Sequence, residues 1–268
     1  MKNKIYLATI LLFLGLNTYS QSDNKAYNKD LVISINGDSI SGYALIAKGN
    51  ELKETIILLH GLPGNEKNLD LAETIRQSGK NVIYFNYRGS WGSQGEFLYS
   101  NCLQDISKVI DYLSNDILSK KLRIKKSSFT LIGHSLGGGI AILHGIQDDR
   151  VKKIVALSCF NAGEELKNNY SIDELDDFQK YLNEQFMLNI NSKKFLTEIL
   201  NHKQEWNLIS INSLKHDKPI IFIDENKRNE HWVKRIKNNQ YLIIDSDHSF
   251  SDKRNELSAE IIDWLNKN

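Results

Sequence analysis

Gly133-His134-Ser135-Leu136-Gly137 sets a serine two residues from a glycine on either side. A serine hydroxyl is a weak nucleophile until a base takes its proton and the chain fixes its position. The spacing G-x-S-x-G does the fixing when a buried strand precedes it and a helix follows, because the turn between them exposes the hydroxyl. Both neighbours are present: the apolar run Phe129-Thr130-Leu131-Ile132 before it, and the small-residue start Gly138-Gly139-Ile140-Ala141 after it. Side chains in place of Gly133 and Gly137 would collide with the turn or its surroundings. The Leu136 amide then opens the helix and can face a developing oxyanion. His60-Gly61-Leu62-Pro63-Gly64 follows an earlier apolar run, Thr55-Ile56-Ile57-Leu58-Leu59. Its Leu62 N–H is the expected second donor, since acyl transfer is helped by two donors on one oxygen.

A base must reach that serine. Of the seven histidines, His248 lies just beyond the last apolar run, Tyr241-Leu242-Ile243-Ile244, and before a helical pattern. His60 and His134 belong to the two glycine-containing loops, and the remaining four have no comparable position. Serine first and histidine last is one of the chain orders in which a hydrolytic triad is built. His248 is therefore the expected general base.

These residues need a scaffold. Six apolar runs, beginning near Thr55, Asn81, Phe129, Lys153, Ile220 and Tyr241, are continuous rather than alternating. That pattern suits strands buried on both faces. Between them, Leu103, Ile106, Val109, Ile110 and Leu113 recur at helical spacing, as do Leu257, Ile261, Ile262 and Leu265. The alternation predicts an α/β fold with a mostly parallel sheet covered by helices on both faces. Residues 31–46 predict an antiparallel hairpin at one edge, turning at Asn36-Gly37-Asp38. Residues 161–215 contain no convincing buried strand and predict a helical insertion, or lid, between two core strands. Glu164, Glu165, Lys167, Asp173, Glu174, Asp176 and Asp177 make that insertion charged, with no long apolar face for a lipid surface. Dissolved, short-chain substrates are expected. Cys102 and Cys159 fit no metal spacing and are expected as buried free thiols.

Composition narrows the function classes. The formal net charge of +1 lacks the basic footprint of a nucleic-acid binder. It also gives no reason for attraction to anionic membranes. Met1-Lys2-Asn3-Lys4, the apolar run Ile5 to Leu16, and Thr18-Tyr19-Ser20 read as a signal peptide cleaved after Ser20. The run is too short for a membrane span, which needs roughly 18 apolar residues. The mature chain, residues 21–268, is expected to form one exported domain without a stable membrane span, periplasmic or extracellular.

From about Thr55 to Leu265 the chain resembles the α/β-hydrolase superfamily. Besides the serine motif and the final histidine, Asn86-Tyr87-Arg88-Gly89-Ser90-Trp91-Gly92-Ser93-Gln94-Gly95 looks like the superfamily's Y-R-G-x-G-x-S-x-G loop, and Asp247-His248-Ser249-Phe250 looks like its D-H-x-F ending. Within it, the chain is most similar to bacterial esterases and to dienelactone-hydrolase and prolyl-oligopeptidase-related domains. The resemblance implies an eight-stranded sheet, no cofactor, and hydrolysis through an acyl-enzyme on Ser135. It also implies a triad acid after Ile220-Ile221-Phe222-Ile223. Many relatives carry a G-x-x-D turn there, which would put the acid near Lys227 or Arg228; this chain has Asp224-Glu225-Asn226 instead. Asp224, ending the strand, is the first choice, Glu225 the alternative and Glu230 a distant third. Asp247 is disfavoured because it adjoins His248. The expected activity is cleavage of a small soluble ester, thioester or amide. A serine peptidase acting on short peptides is the alternative, and a catalytically silent binding protein is the alternative of another class.

Overall fold

The computed structural model describes residues 24–166 and 172–268. The expected leader, residues 1–20, lies outside the described residues. Among the described residues, no helix is long and apolar enough to cross a membrane.

Strands β1 (Tyr27–Ile35) and β2 (Asp38–Ile46) form the expected hairpin, longer than the sequence suggested. Ile35 pairs with Asp38, so the loop is the two residues Asn36 and Gly37. Their φ angles of 53° and 94° are both positive, the geometry of a tight hairpin turn that follows strand twist. Along β1, Leu31, Ile33 and Ile35 are buried, while Val32 is 71% exposed. That alternation is the signature of an edge strand with one covered face.

The other strands are β3 (Lys53–Leu59), β4 (Asn81–Phe85), β5 (Ile124–His134), β6 (Val151–Leu157), β7 (Ile220–Asp224) and β8 (Asn239–Ile243). The sheet has eight strands in the order β1-β2-β4-β3-β5-β6-β7-β8, parallel from β4 onward. All five residues of β4 and of β7 are buried, as their unbroken apolar runs require. On one face, α1 (Leu69–Gln77) and α9 (Arg254–Lys267) pack Leu71, Ile75, Leu257, Ile261 and Leu265 onto Ile56, Leu58 and Ile223. On the other, α2 (Tyr99–Leu113) and α4 (Leu136–Gly145) cover Ile57, Leu59 and Leu131 with Ile106, Val109 and Ile140. Each such side chain contributes about 1.5–3 kcal/mol on burial. Cys102 and Cys159 are buried and free, as expected.

Between β6 and β7 the described chain is helical: α5 (Ala162–Glu165), α6 (Ile172–Asn183), α7 (Ser192–Asn201) and a 3₁₀ turn, Leu208–Ser213. Backbone hydrogen bonds strap this segment to the loop after β4: Trp91 N–H donates to the Met187 carbonyl, Asn189 N–H to Gly89, and Phe97 N–H to Asn189. Two short helices, α3 (Asp116–Lys121) and α8 (Glu230–Val233), complete the fold.

The connectivity locates the functional end. The chain leaves β3 for β4 on one side and later returns to β5 on the other. Loops from the carboxyl ends of β3 and β5 therefore diverge and leave a crevice between them. Leu59 pairs with Gly133 there, so the His60–Gly64 loop and the serine turn emerge side by side.

Candidate active site

Ser135 is the residue on which β5 ends and α4 begins, with φ 54° and ψ −119°. Such a conformation costs a non-glycine residue on the order of 1–3 kcal/mol and persists only where neighbours enforce it. Here they do. A Cβ on Gly133 would lie 2.1 Å from the Gly137 carbonyl oxygen, and one on Gly137 would lie 2.3 Å from that of Leu59. Bare backbone at both positions lets α4 start against β3 and β5, with the serine side chain lifted above the turn. The Ser135 N–H donates to the Leu157 carbonyl, fixing the turn to β6.

The loop after β3 runs alongside. The position of a Cβ on Gly61 is 3.0 Å from the Ser135 Cβ. His60 anchors this loop. Its Nδ1 lies 2.8 Å from the Gly61 carbonyl, so Nδ1 carries the proton, and Nε2 accepts from the Tyr87 N–H at 3.4 Å. Burial brings its pKa down to about 4, so the imidazole is a neutral strut and not a base. Among the described residues, neither the Leu62 nor the Leu136 amide donates to a protein acceptor. Both remain free to serve a ligand.

His248 sits in the turn between β8 and α9, with its side chain 44% exposed. Its Nδ1 is 3.3 Å from Glu225 Oε1. Its backbone carbonyl receives the His134 Nε2–H at 2.8 Å and the Ser158 hydroxyl at 3.1 Å. His134 is the residue immediately before Ser135, so the serine turn itself holds the histidine loop. Burial lowers the His134 pKa to about 4, and a carbonyl partner requires the proton on Nε2. Ser158 follows β6 at φ 45°, a second non-glycine residue in the left-handed region beside the same loop. Arg254 braces the outside: it donates to the Ser249 carbonyl, to Asn68 Oδ1 and to both oxygens of Asp70. One guanidinium thus joins the histidine loop to the loop after β3. Ser135 and His248 share no hydrogen bond among the described residues.

The two neighbouring carboxylates are sorted differently from the sequence preference. Asp224 does not meet His248. It accepts from Asn229 Nδ2 at 3.2 Å and from the Tyr241 hydroxyl at 3.0 Å. Burial dominates its ionisation and raises its pKa to about 6 against those two donors. Glu225 is the carboxylate on the imidazole. Burial raises its pKa too, but the His248 ring and the Ser158 hydroxyl outweigh that and bring it down to about 2. Glu230 pairs with Lys234, and Asp247 Oδ1 accepts the Ser249 and Ser251 amides.

A family model described as alpha/beta hydrolase fold matches residues 54–266. The chain belongs to the alpha/beta hydrolase family. Among solved structures, Est1E from Butyrivibrio proteoclasticus is 16% identical at a TM-score of 0.66, covering 89% of this chain and 98% of that one. The esterase EaEST from Exiguobacterium antarcticum is 17% identical at 0.66, covering 89% and 100%. The esterase Pf2001 from Pyrococcus furiosus is 16% identical at 0.63, covering 91% and 94%. At such identities the likeness is one of fold. An Escherichia coli protein described as an uncharacterized 31.7 kDa protein in the traX-finO intergenic region is 33% identical over 126 residues. That match spans 45% of this chain and 42% of the E. coli protein, less than half its length.

Glycine spacing and element order predict Ser135, His248 and the His60–Gly64 loop together; in the structure Gly61 lies beside Ser135, and His134 ties the serine turn to the His248 carbonyl. The sequence missed His134, Ser158 and Arg254 as supports of the histidine loop. His134 carried a signal, since it adjoins the serine. Ser158 carried none: a positive φ at a serine leaves no mark in the sequence.

Proposed function

We propose that this alpha/beta hydrolase is a serine esterase acting through an acyl-enzyme on Ser135. The observation that carries the reading is the strained Ser135 turn whose own His134 grips the loop of a carboxylate-paired histidine. Ser135 Oγ attacks the carbonyl carbon as its proton passes to His248 Nε2. The His248 Nδ1–H, donating to Glu225 Oε1, keeps Nε2 free to accept and steadies the imidazolium. The Leu62 and Leu136 amides receive the oxyanion. The intermediate collapses as His248 protonates the leaving alcohol. Water then adds to the acyl carbon, its proton going to His248, and the acid leaves as Ser135 regains its hydrogen. Glu225 rather than Asp224 is the triad acid in this reading.

Two further readings belong to the proposal. The charged helical segment favours small dissolved substrates, so activity rises smoothly with substrate and does not jump when an ester forms an emulsion. The chain is exported and cleaved after Ser20, leaving one domain of residues 21–268, which an intact mass beginning at Gln21 would establish. The deciding panel is short-chain 4-nitrophenyl esters against aminoacyl 4-nitroanilides of matched size. Faster turnover of the esters supports the esterase. Selective turnover of the anilides makes the protein a peptidase. No turnover of either, with no reaction towards a fluorophosphonate, makes it a binding protein on a hydrolase fold.

A further inference from the structure

In the loop that passes Ser135, one cation has, among the described residues, no carboxylate partner. Lys67 lies in the loop between β3 and α1, five residues beyond Leu62. Its Nζ is 4.1 Å from the centroid of the Trp91 ring and 5.4 Å from that of Tyr84. Trp91 is itself fixed: its Nε1 donates to the Pro63 carbonyl at 2.8 Å, and a Cβ on Gly64 would lie 3.0 Å from that nitrogen. The lysine therefore stands on an aromatic floor attached to the same loop that passes Ser135. Tyr84 is on β4, two strands from β5 and level with Ile132, so its backbone lies about 10 Å across the sheet and about 10 Å along the strands from Ser135, and the long Lys67 and Trp91 side chains lie between.

The surrounding charges are already committed. Arg254 is held by Asp70, Asn68 and the Ser249 carbonyl. Glu66 Oε1, next to Lys67 in sequence, accepts the Asn68 amide. Lysines elsewhere, such as Lys153 with Glu54 and Lys194 with Glu96, reach carboxylates. Among the described residues, Lys67 has aromatic faces and no carboxylate partner. Partial burial alone lowers its pKa. Ring faces attract an ammonium but leave its N–H groups open.

Resting on the esterase reading, we infer that Lys67 is a substrate-recognition residue and that the preferred ester carries a carboxylate. The anion meets the ammonium over Trp91 while the ester carbonyl lies at Ser135. A carboxylate there gains a charge-assisted hydrogen bond in a half-buried setting, where such bonds are stronger than neutral ones.

The test compares the mono-4-nitrophenyl ester of glutaric acid with the neutral 4-nitrophenyl pentanoate. A second pair, acetate esters of 4-hydroxybenzoate and of its methyl ester, puts the charge on the alcohol side. The readout is the ratio of kcat/KM for the charged ester to that for its neutral partner. In the unaltered protein at low salt, one pair gives a ratio of about ten or more, falling as salt is added. Lys67→Met brings that ratio to about one or below, mainly through KM, and Lys67→Arg retains most of it. A ratio of one or less for both pairs in the unaltered protein overturns the inference, as does a ratio that survives Lys67→Met. In either case, neutral-ester turnover and fluorophosphonate labelling would leave the esterase reading standing. Loss of both reactions in the unaltered protein would remove the esterase reading itself.

Discussion

Exchanging Glu225 for glutamine tests the division of labour between the two neighbouring carboxylates. The His248 Nδ1 to Glu225 Oε1 separation is 3.3 Å. For an imidazolium and a carboxylate at that distance, an effective dielectric of about 20 gives an attraction of about 5 kcal/mol. The imidazole is 44% exposed, and solvent screening reduces this to about 3 kcal/mol. Glutamine keeps a carbonyl acceptor but loses the charge, so kcat falls about 10²-fold on electrostatics alone. If its NH₂ instead faces the ring, the wrong tautomer is favoured and the loss approaches about 10⁴-fold. Asp224→Asn behaves differently. The asparagine oxygen can accept from Asn229 and its NH₂ can donate to the Tyr241 oxygen, so both contacts of Asp224 survive in kind. Its kcat stays within about fivefold of the parent, a change of about 1 kcal/mol. The assay is ester turnover at pH 8 with circular dichroism checked for each variant. Near-normal turnover in Glu225→Gln, together with loss in Asp224→Asn, would exclude Glu225 as the partner of His248 in catalysis.

Two other outcomes follow from the same geometry. Gly137→Ala drives a methyl group to 2.3 Å from the Leu59 carbonyl, against backbone that cannot rotate away. It should cost about 3 kcal/mol and lower Tm by about 6–12 °C in calorimetry; an unchanged Tm contradicts the packing described. Asp224, raised to about 6 from 3.8, binds a proton more readily folded than unfolded. It therefore favours folding as pH falls from about 6 to 4, and this is lost as pH rises through 6. Denaturant titrations should show the parent gaining on the order of 2–3 kcal/mol over Asp224→Asn across that window. Parallel pH curves would contradict the burial of that charge. Glu225 acts in the opposite sense, its lowered pKa withdrawing stability as pH falls from 4.5 towards 2.

The serine turn was legible because steric demands write themselves into sequence as glycines at fixed spacing. The parallel sheet was legible because strands buried on both faces are apolar throughout. Which carboxylate meets His248 was not, and the reason is the period of a strand. Ile220 and Phe222 face the α4 side and Ile221 and Ile223 the α9 side. By the same alternation Asp224 turns towards the α4 side and Glu225 towards α9, where Phe250 buries the end of the histidine loop. Two adjacent carboxylates are thus separated by a register that only the folded sheet defines. The strap between Trp91 and Met187 is a pairing of backbone groups and carries no residue preference to read.

In the proposed mechanism everything depends on Ser135 being a nucleophile activated within this fold. The most direct measurement is reaction with a fluorophosphonate, followed by intact mass and peptide mapping, on the parent protein and on Ser135→Ala. A single adduct is expected on the peptide containing Ser135, and no adduct on the folded alanine variant. Equal labelling of the variant, or an adduct mapped to another residue, would contradict it.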